Sequence, residues 1–132
     1  MSNAKPQLLL FGATGYIAGV LLSQWHVAGF DNLPFKVTAA GRSKERLEQI
    51  ARLLGISTVT IPFDNIAGLE EEVQKYDIVV QLADCDAFQA THAILRGMRA
   101  RYESTSTPPR LYHASGAGIL LILQPTEKQR TH

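Results

Sequence analysis

The stretch LLLFGATGYIAGVLL, residues 8–22, joins an apolar run, a glycine-rich turn and the start of an amphipathic segment. The apolar run Leu8–Phe11 stops at Gly12, which is typical of a strand covered on both faces of a parallel sheet. From Tyr16 to about Ala28, apolar residues recur at helical spacing, so one stripe of a helix can pack on that sheet. These 15 residues therefore predict a strand that leads through a glycine turn into a helix.

The unit of strand and helix recurs along the chain. Ser43 is predicted to cap a second helix, which ends at Gly55. Asp64 or Asn65 is predicted to cap a short third helix. A fourth helix is predicted from Asp86 to about Met98, followed by a polar loop. The further predicted strands are Phe35–Ala40, Val59–Phe63, Ile78–Leu82 and Leu111–His113, with a weaker one at Ile119–Leu123, and the predicted loop is Arg101–Arg110.

This alternation predicts an α/β fold, a doubly wound parallel sheet of about five to six strands between two layers of helices. We expect one domain over residues 5–123 and a polar tail over 124–132. Without a covering unit, Ile119–Leu123 is expected to expose an edge that favours a homodimer or aggregation.

Composition excludes several classes of function. Thirteen Lys and Arg against twelve Asp and Glu give a net charge of +1, so no broad field attracts nucleic acid or a membrane surface. The lone Cys85 excludes an internal disulfide, and the histidines lack metal-ligand spacing, so no metal site is predicted. The longest apolar run has eight residues, against about 20 for a membrane helix. We therefore expect a cytoplasmic protein.

The glycine turn predicts dinucleotide binding. A pyrophosphate must approach the backbone closely and accept hydrogen bonds from free amides at a helix N-terminus, where side chains would block it. Ala18 and Gly19 are predicted to let the helix pack closely on its strand. A bare tight turn is the alternative.

The segment Arg42-Ser43-Lys44, after the second predicted strand, bears on the choice of dinucleotide. An acid at this point would accept hydrogen bonds from a ribose hydroxyl of NAD, but the sequence has none. A guanidinium, a hydroxyl and an ammonium suit the 2′-phosphate of NADP instead. Alternatively, Ser43 only caps the helix and the two cations are solvated.

The turn Gly12-Ala13-Thr14-Gly15-Tyr16-Ile17-Ala18 resembles that of extended and atypical short-chain dehydrogenases/reductases, in particular the epimerase-like and NmrA-like branches. The likeness covers about residues 7–118 and includes Gly41-Arg42-Ser43, Phe63-Asp64 and His113-Ala114-Ser115-Gly116. It implies a Rossmann domain whose cofactor contacts are Gly12, Ala13, Thr14, Gly15, Tyr16, Ile17, Arg42, Ser43, Lys44, Asp64 and Ala83.

Within this resemblance, Asp64 would lie beside the adenine amino group, with a helix cap as its alternative role, and Ala83 would contact the ribose. Ser115 stands where the family has the catalytic serine, with a strand-end turn as the alternative. The roles of Asp84 and Cys85 stay open.

Catalysis in this family needs a Tyr-x-x-x-Lys pair, and none of the four tyrosines has a lysine four places on. The chain ends seventeen residues after Ser115 (132 minus 115). The resemblance therefore implies either the NADP-binding half of a longer or truncated oxidoreductase, acting on a small-molecule substrate, or a non-catalytic NADP-sensing or protein-interaction module of NmrA-like type. A remnant that binds nothing is the third reading.

Overall fold

The computed structural model describes residues 5–82, 88–115 and 118–122. Their chain order begins with β1 (Gln7–Phe11), α1 (Tyr16–Ala28), a 3₁₀ turn (Phe30–Asn32), β2 (Lys36–Gly41), α2 (Lys44–Leu54) and β3 (Ser57–Thr60). It continues with α3 (Ile66–Val73), β4 (Ile78–Gln81), α4 (Phe88–Thr105), β5 (Arg110–Ser115) and β6 (Gly118–Ile122). The predicted α/β class is confirmed.

The strands form one sheet in the order β3-β2-β1-β4-β5-β6. The first five are parallel, and the order reverses between β1 and β4, as in a doubly wound Rossmann-type sheet. The predicted doubly wound parallel sheet is confirmed for these five strands, and the sixth, β6, pairs antiparallel with β5. Only residues 116–117 separate these two strands, whereas a parallel pairing needs a crossover of about a dozen residues.

The helices cover the two faces of the sheet in pairs. Alternate residues of β1 point to opposite faces, because side chains in a strand alternate. On one face Leu8 and Leu10 pack with buried residues of α1 and α2, and on the other Leu9 and Phe11 pack with buried residues of α3 and α4. The strands with helices on both sides are therefore the apolar runs seen in the sequence.

Two element boundaries differ from the prediction by more than two residues. β3 covers Ser57–Thr60, where the predicted strand was Val59–Phe63. Its parallel register with β2 sets Thr60 opposite Gly41, so pairing ends with β2, and Pro62 has no amide hydrogen to donate to a ladder.

Helix α4 runs to Thr105, beyond the predicted end at Met98, so the first half of the predicted loop is helical. Arg101 explains the extension, since its Nε and Nη2 donate to Asp77 Oδ1 at 3.1 and 2.7 Å. The helix is followed by Ser106, whose φ of 62° is left-handed. In the described ranges, no helix is both long and apolar enough to cross a membrane.

Candidate functional site

The carboxyl ends of the five parallel strands lie along one side of the sheet, here called the carboxyl edge. The glycine turn follows β1, at the centre of this edge, where Phe11 is in register with Ala40 of β2 and Gln81 of β4. This point between β1 and β4 is the topological switch point, which is where open α/β sheets bind ligands. The fold alone thus places the predicted binding turn in the crevice that such sheets use.

The backbone of the turn explains two of its glycines. Gly12 has φ 78°, a left-handed conformation that side chains disfavour. The amide of Ala13 donates to the carbonyl of Ala40 at 3.2 Å, and the amide of Gly15 donates to the carbonyl of Gly12 at 2.9 Å. A Cβ on Gly15 would lie only 3.3 Å from that same carbonyl oxygen. The chain therefore folds back tightly on β1 and delivers Gly15 to the start of α1.

The N-terminus of α1 is open. Gly15 occupies the N-cap position without a side-chain hydrogen bond, and no acid stands in the first turn. The first helical amide bond is donated by Gly19 to Gly15 at 3.0 Å, so the amides of Tyr16, Ile17 and Ala18 precede it. Thr14 is exposed, and the Tyr16 side chain is 85% exposed. Free amides at the positive end of a helix dipole can bind an anion such as a pyrophosphate.

The N-termini of α2 and α3 differ from that of α1, because each has a side-chain cap. Ser43 Oγ accepts a hydrogen bond from the amide of Arg46 at 3.3 Å, and Asn65 Oδ1 accepts one from Gly68 at 3.1 Å. Side chains therefore occupy the N-termini of α2 and α3. Of these three helices, α1 alone has N-terminal amides that no side chain caps within the described ranges.

The close packing predicted for Ala18 and Gly19 is found at one position only. Ala18 is buried, with 1% of its surface exposed, against the core of its face. A Cβ on Gly19 would meet nothing within 4 Å. The prediction for Gly19 is therefore wrong, because α1 turns this position away from β1.

Arg42, Ser43 and Lys44 lie at the carboxyl edge where β2 ends and α2 begins. The predicted cap by Ser43 is confirmed, and since its oxygen accepts from Arg46, its hydroxyl hydrogen is left to donate. Arg42 and Lys44 are exposed, and neither forms an ion pair with a described residue. Arg46, which sequence reasoning missed, is a third exposed cation in the same turn and lies three residues after the cap. The sequence signal for Arg46 was its position three residues after the predicted cap, Ser43.

Asp64 follows β3, two strands from the glycine turn along the carboxyl edge. Asn65 is the N-cap of α3, so Asp64 is not the cap, and the alternative role is wrong for this residue. Its side chain is exposed. The preceding Phe63 packs edge-on against Phe11, with ring centroids 5.6 Å apart, which ties this loop to the end of β1.

Gln81 closes β4 beside the glycine turn, and sequence reasoning missed it as well. It is fully buried, and the amide of the following Leu82 donates to the Phe11 carbonyl at 3.0 Å. The signal was a single polar residue within an apolar run. The predicted contact Ala83, with Asp84 and Cys85, lies outside the described residues.

Ser115 ends β5 at the same edge, two strands from β1 and therefore about 10 Å away at ordinary strand spacing. Its side chain lies outside the described set. In the residues whose side chains are described, no three His, Cys, Asp or Glu side chains are grouped to hold a metal ion.

These features define a Rossmann-type α/β domain with an open helix N-terminus at its switch point. No protein-family model and no curated protein matches the sequence. Among solved structures, the chain is similar to apo saccharopine dehydrogenase (L-Glu forming) from Saccharomyces cerevisiae, at 16% identity and TM-score 0.59, over 94% of this chain and 23% of that one.

Two further solved structures carry the same fold. The triphenylmethane reductase of Citrobacter sp., complexed with NADP(H), shares 13% identity at TM-score 0.58, over 71% of this chain and 34% of that one. AtPrR2 with NADP+ and (+)pinoresinol shares 18% identity at TM-score 0.56, over 76% and 34% of the two chains. The chain thus spans about a quarter to a third of the length of these proteins. The likeness establishes the Rossmann-type fold.

Proposed function

We propose that this chain is an NADP-binding Rossmann domain of a short-chain dehydrogenase/reductase-like oxidoreductase. The observation that carries the proposal is the uncapped start of α1 behind the turn at Gly12 and Gly15. It offers free amides to a pyrophosphate at the switch point, while the N-termini of α2 and α3 are filled by side chains. When bound, a nicotinamide cofactor would supply hydride chemistry.

The preference for NADP rests on charge at the end of β2. Arg42 and Lys44 are exposed cations without ion-pair partners in the described part of the chain, and the Ser43 hydroxyl can donate between them. An Arg fork and an ammonium both suit a phosphate dianion. The NADP(H) complex of triphenylmethane reductase and the NADP+ complex of AtPrR2 support this choice. Asp64 would face the adenine, and Ala83 the ribose.

A second candidate function is a non-catalytic NADP-sensing or protein-interaction module of NmrA-like type. The sequence contains no Tyr-x-x-x-Lys pair, and this favours a module that binds the cofactor without turnover. In the oxidoreductase reading, Ser115 would hold the substrate oxygen. We further propose a cytoplasmic location, a domain over residues 5–123 and a polar tail over 124–132.

The binding proposal is tested by thermal denaturation with NADPH and with NADH. A ligand present at about 100 times its dissociation constant stabilises the folded state by roughly 2.7 kcal/mol, so NADPH should raise the melting temperature more than NADH at equal concentration. Arg42→Ala should abolish this preference. Arg52→Ala is the matched control, because Arg52 is an exposed arginine in the last turn of α2, the helix that follows Arg42. No shift with either nucleotide would contradict the proposal.

The two candidates are separated by turnover. Oxidation of NADPH by the purified chain, followed by absorbance against a panel of carbonyl compounds, would establish an oxidoreductase, and Ser115→Ala should then lower kcat while leaving NADPH affinity unchanged. Tight NADPH binding without any oxidation is the result expected of the sensing module and of a cofactor domain that acts only within its whole enzyme.

A further inference from the structure

A groove of about 400 Å³ opens at the side of the sheet opposite the glycine turn, where β1, β2 and β3 begin. We call this side the amino edge. The volume lies within the range of about 300–1,000 Å³ that small-molecule sites occupy. The lining residues that bear on its chemistry are Lys5, Phe30, Asp31, Phe35, Lys36 and Ile56.

One wall of the groove is apolar and fixed by the core. Phe30, Phe35 and Ile56 are half-buried and pack against the cluster that α1 and α2 form on the sheet. Trp25 stands edge-on to Phe35, with ring centroids 5.3 Å apart and an angle of 67° between the rings. This packing holds the wall in place, and it makes Trp25 a reporter of what contacts Phe35.

Two lysines are among the residues that line the groove. Lys5 Nζ donates to the backbone carbonyl of Asp31 at 2.7 Å, which holds the ammonium at the rim and leaves two of its three hydrogens for other acceptors. The Lys36 side chain is exposed, and its backbone amide is fixed by a 2.9 Å bond to the Pro6 carbonyl. In the described ranges neither ammonium pairs with a carboxylate.

The lining therefore carries two lysines and one carboxylate, that of Asp31, and a net charge of +1 (two minus one). A monoanion balances this charge, whereas a phosphate dianion would meet Asp31 with an excess of negative charge. Lysine ammonium groups act as point charges and suit a single carboxylate, and the two phenylalanines offer a flat apolar surface.

We propose that this groove binds an amphipathic monoanion, a carboxylate carried on an aromatic or cyclic apolar body. The carboxylate lies between Lys5 and Lys36, and the ring lies on Phe30, Phe35 and Ile56. The site is at the opposite edge from the dinucleotide turn, so the proposal stands independently of the proposed function.

The test uses phenylacetate and its neutral analogue phenylacetamide, titrated against the full chain and followed by Trp25 fluorescence. Phenylacetate should give a saturable change. The double variant Lys5→Gln/Lys36→Gln should weaken phenylacetate binding by about tenfold, since each exposed ion pair changes the dissociation constant by up to about a factor of five. Asp31→Asn should tighten binding, because it removes a like charge. Lys75→Gln, an exposed lysine that does not line the groove, is the matched control and should change nothing.

Two results overturn the proposal: phenylacetamide binding as tightly as phenylacetate, or the double lysine variant binding phenylacetate as the wild type does. A titration with phenylacetate that is flat both in Trp25 fluorescence and in ligand-detected NMR is a third such result, because NMR also detects binding that leaves Trp25 emission unchanged. Arg42→Ala should leave the titration unaltered, which separates this groove from the dinucleotide site.

Discussion

Gly97→Ala is expected to destabilise the protein through the contact between α3 and α4. A Cβ at Gly97 would lie 2.6 Å from the backbone oxygen of Glu70 and 3.1 Å from Val73 Cβ, closer than such atoms approach. The obstructing atom is main-chain carbonyl, which cannot rotate away as a side chain can. The helices must therefore separate where Arg96 Nε and Glu70 Oε1 are 2.9 Å apart.

Two effects of opposite sign set the magnitude. Overpacking of a well-packed contact costs about 1–3 kcal/mol, and replacing glycine by alanine inside a helix returns up to about 1 kcal/mol. We expect the steric cost to win, because the clash involves backbone and a buried valine, with a net loss of about 1–2 kcal/mol. For a domain of this size that lowers the melting temperature by roughly 3–10 °C.

Urea and thermal denaturation measure the effect, and Gly19→Ala is the matched control. Gly19 also lies inside a helix, but its Cβ would meet nothing within 4 Å, so only the helix-propensity gain applies, about 1 kcal/mol. The two variants should thus change stability in opposite directions. If Gly97→Ala proves as stable as Gly19→Ala, the close approach of α3 and α4 is not a constraint and the reasoning fails.

Further predictions concern an ion pair, a buried tyrosine and the end of β2. Asp77→Ala should cost about 2 kcal/mol in urea denaturation, because the partly buried Arg101 loses its carboxylate partner at 2.7 Å; a cost below about 0.5 kcal/mol would reduce the pair to a surface contact. Burial, and then the hydrogen bond to Glu72, raise the pKa of Tyr76 from 10.0 to about 12, so the folded state keeps this proton longer than the unfolded state. The contribution of Tyr76 to the free energy of unfolding is therefore complete below pH 10, and roughly 2–3 kcal/mol of it is lost as pH rises toward about 12. Over that window the urea midpoint of Tyr76→Phe should fall less steeply than that of the wild type. Ser43→Asp should keep the melting temperature, since aspartate caps a helix as well as serine, yet it should shift preference from NADPH toward NADH; unchanged selectivity would argue against a 2′-phosphate at this position.

The local signals in the sequence predicted the first half of the fold well. The end of β1 at Phe11, the bounds of α1, the Ser43 cap and the closing Gly55, whose φ is 70°, are confirmed. Each depends on residues within one turn or strand of the element concerned, such as a glycine that permits a left-handed backbone or a hydroxyl that reaches the next turn. Such information is present in a short window of sequence.

The differences arise where distant contacts decide. The end of β3 follows its register with β2, and the last turns of α4 follow from Arg101 reaching Asp77, twenty-four residues away. The direction of β6 depends on the short link from β5. In the candidate site, Arg46 is identified only through its hydrogen bond to the cap Ser43, and Gln81 only through its register with Phe11. Pattern and spacing alone do not encode these pairings.

The open start of α1 has a thermodynamic consequence for the unliganded protein. A side-chain cap of the kind that Ser43 and Asn65 provide is worth about 1 kcal/mol, and α1 forgoes it. The first turn of α1 should therefore fray more readily than those of α2 and α3, and its amides should exchange with solvent deuterium faster. An anion bound to the amides of Tyr16, Ile17 and Ala18 would stop that fraying. The stabilisation that a side-chain cap gives to α2 and α3 would then come to α1 from its bound ligand.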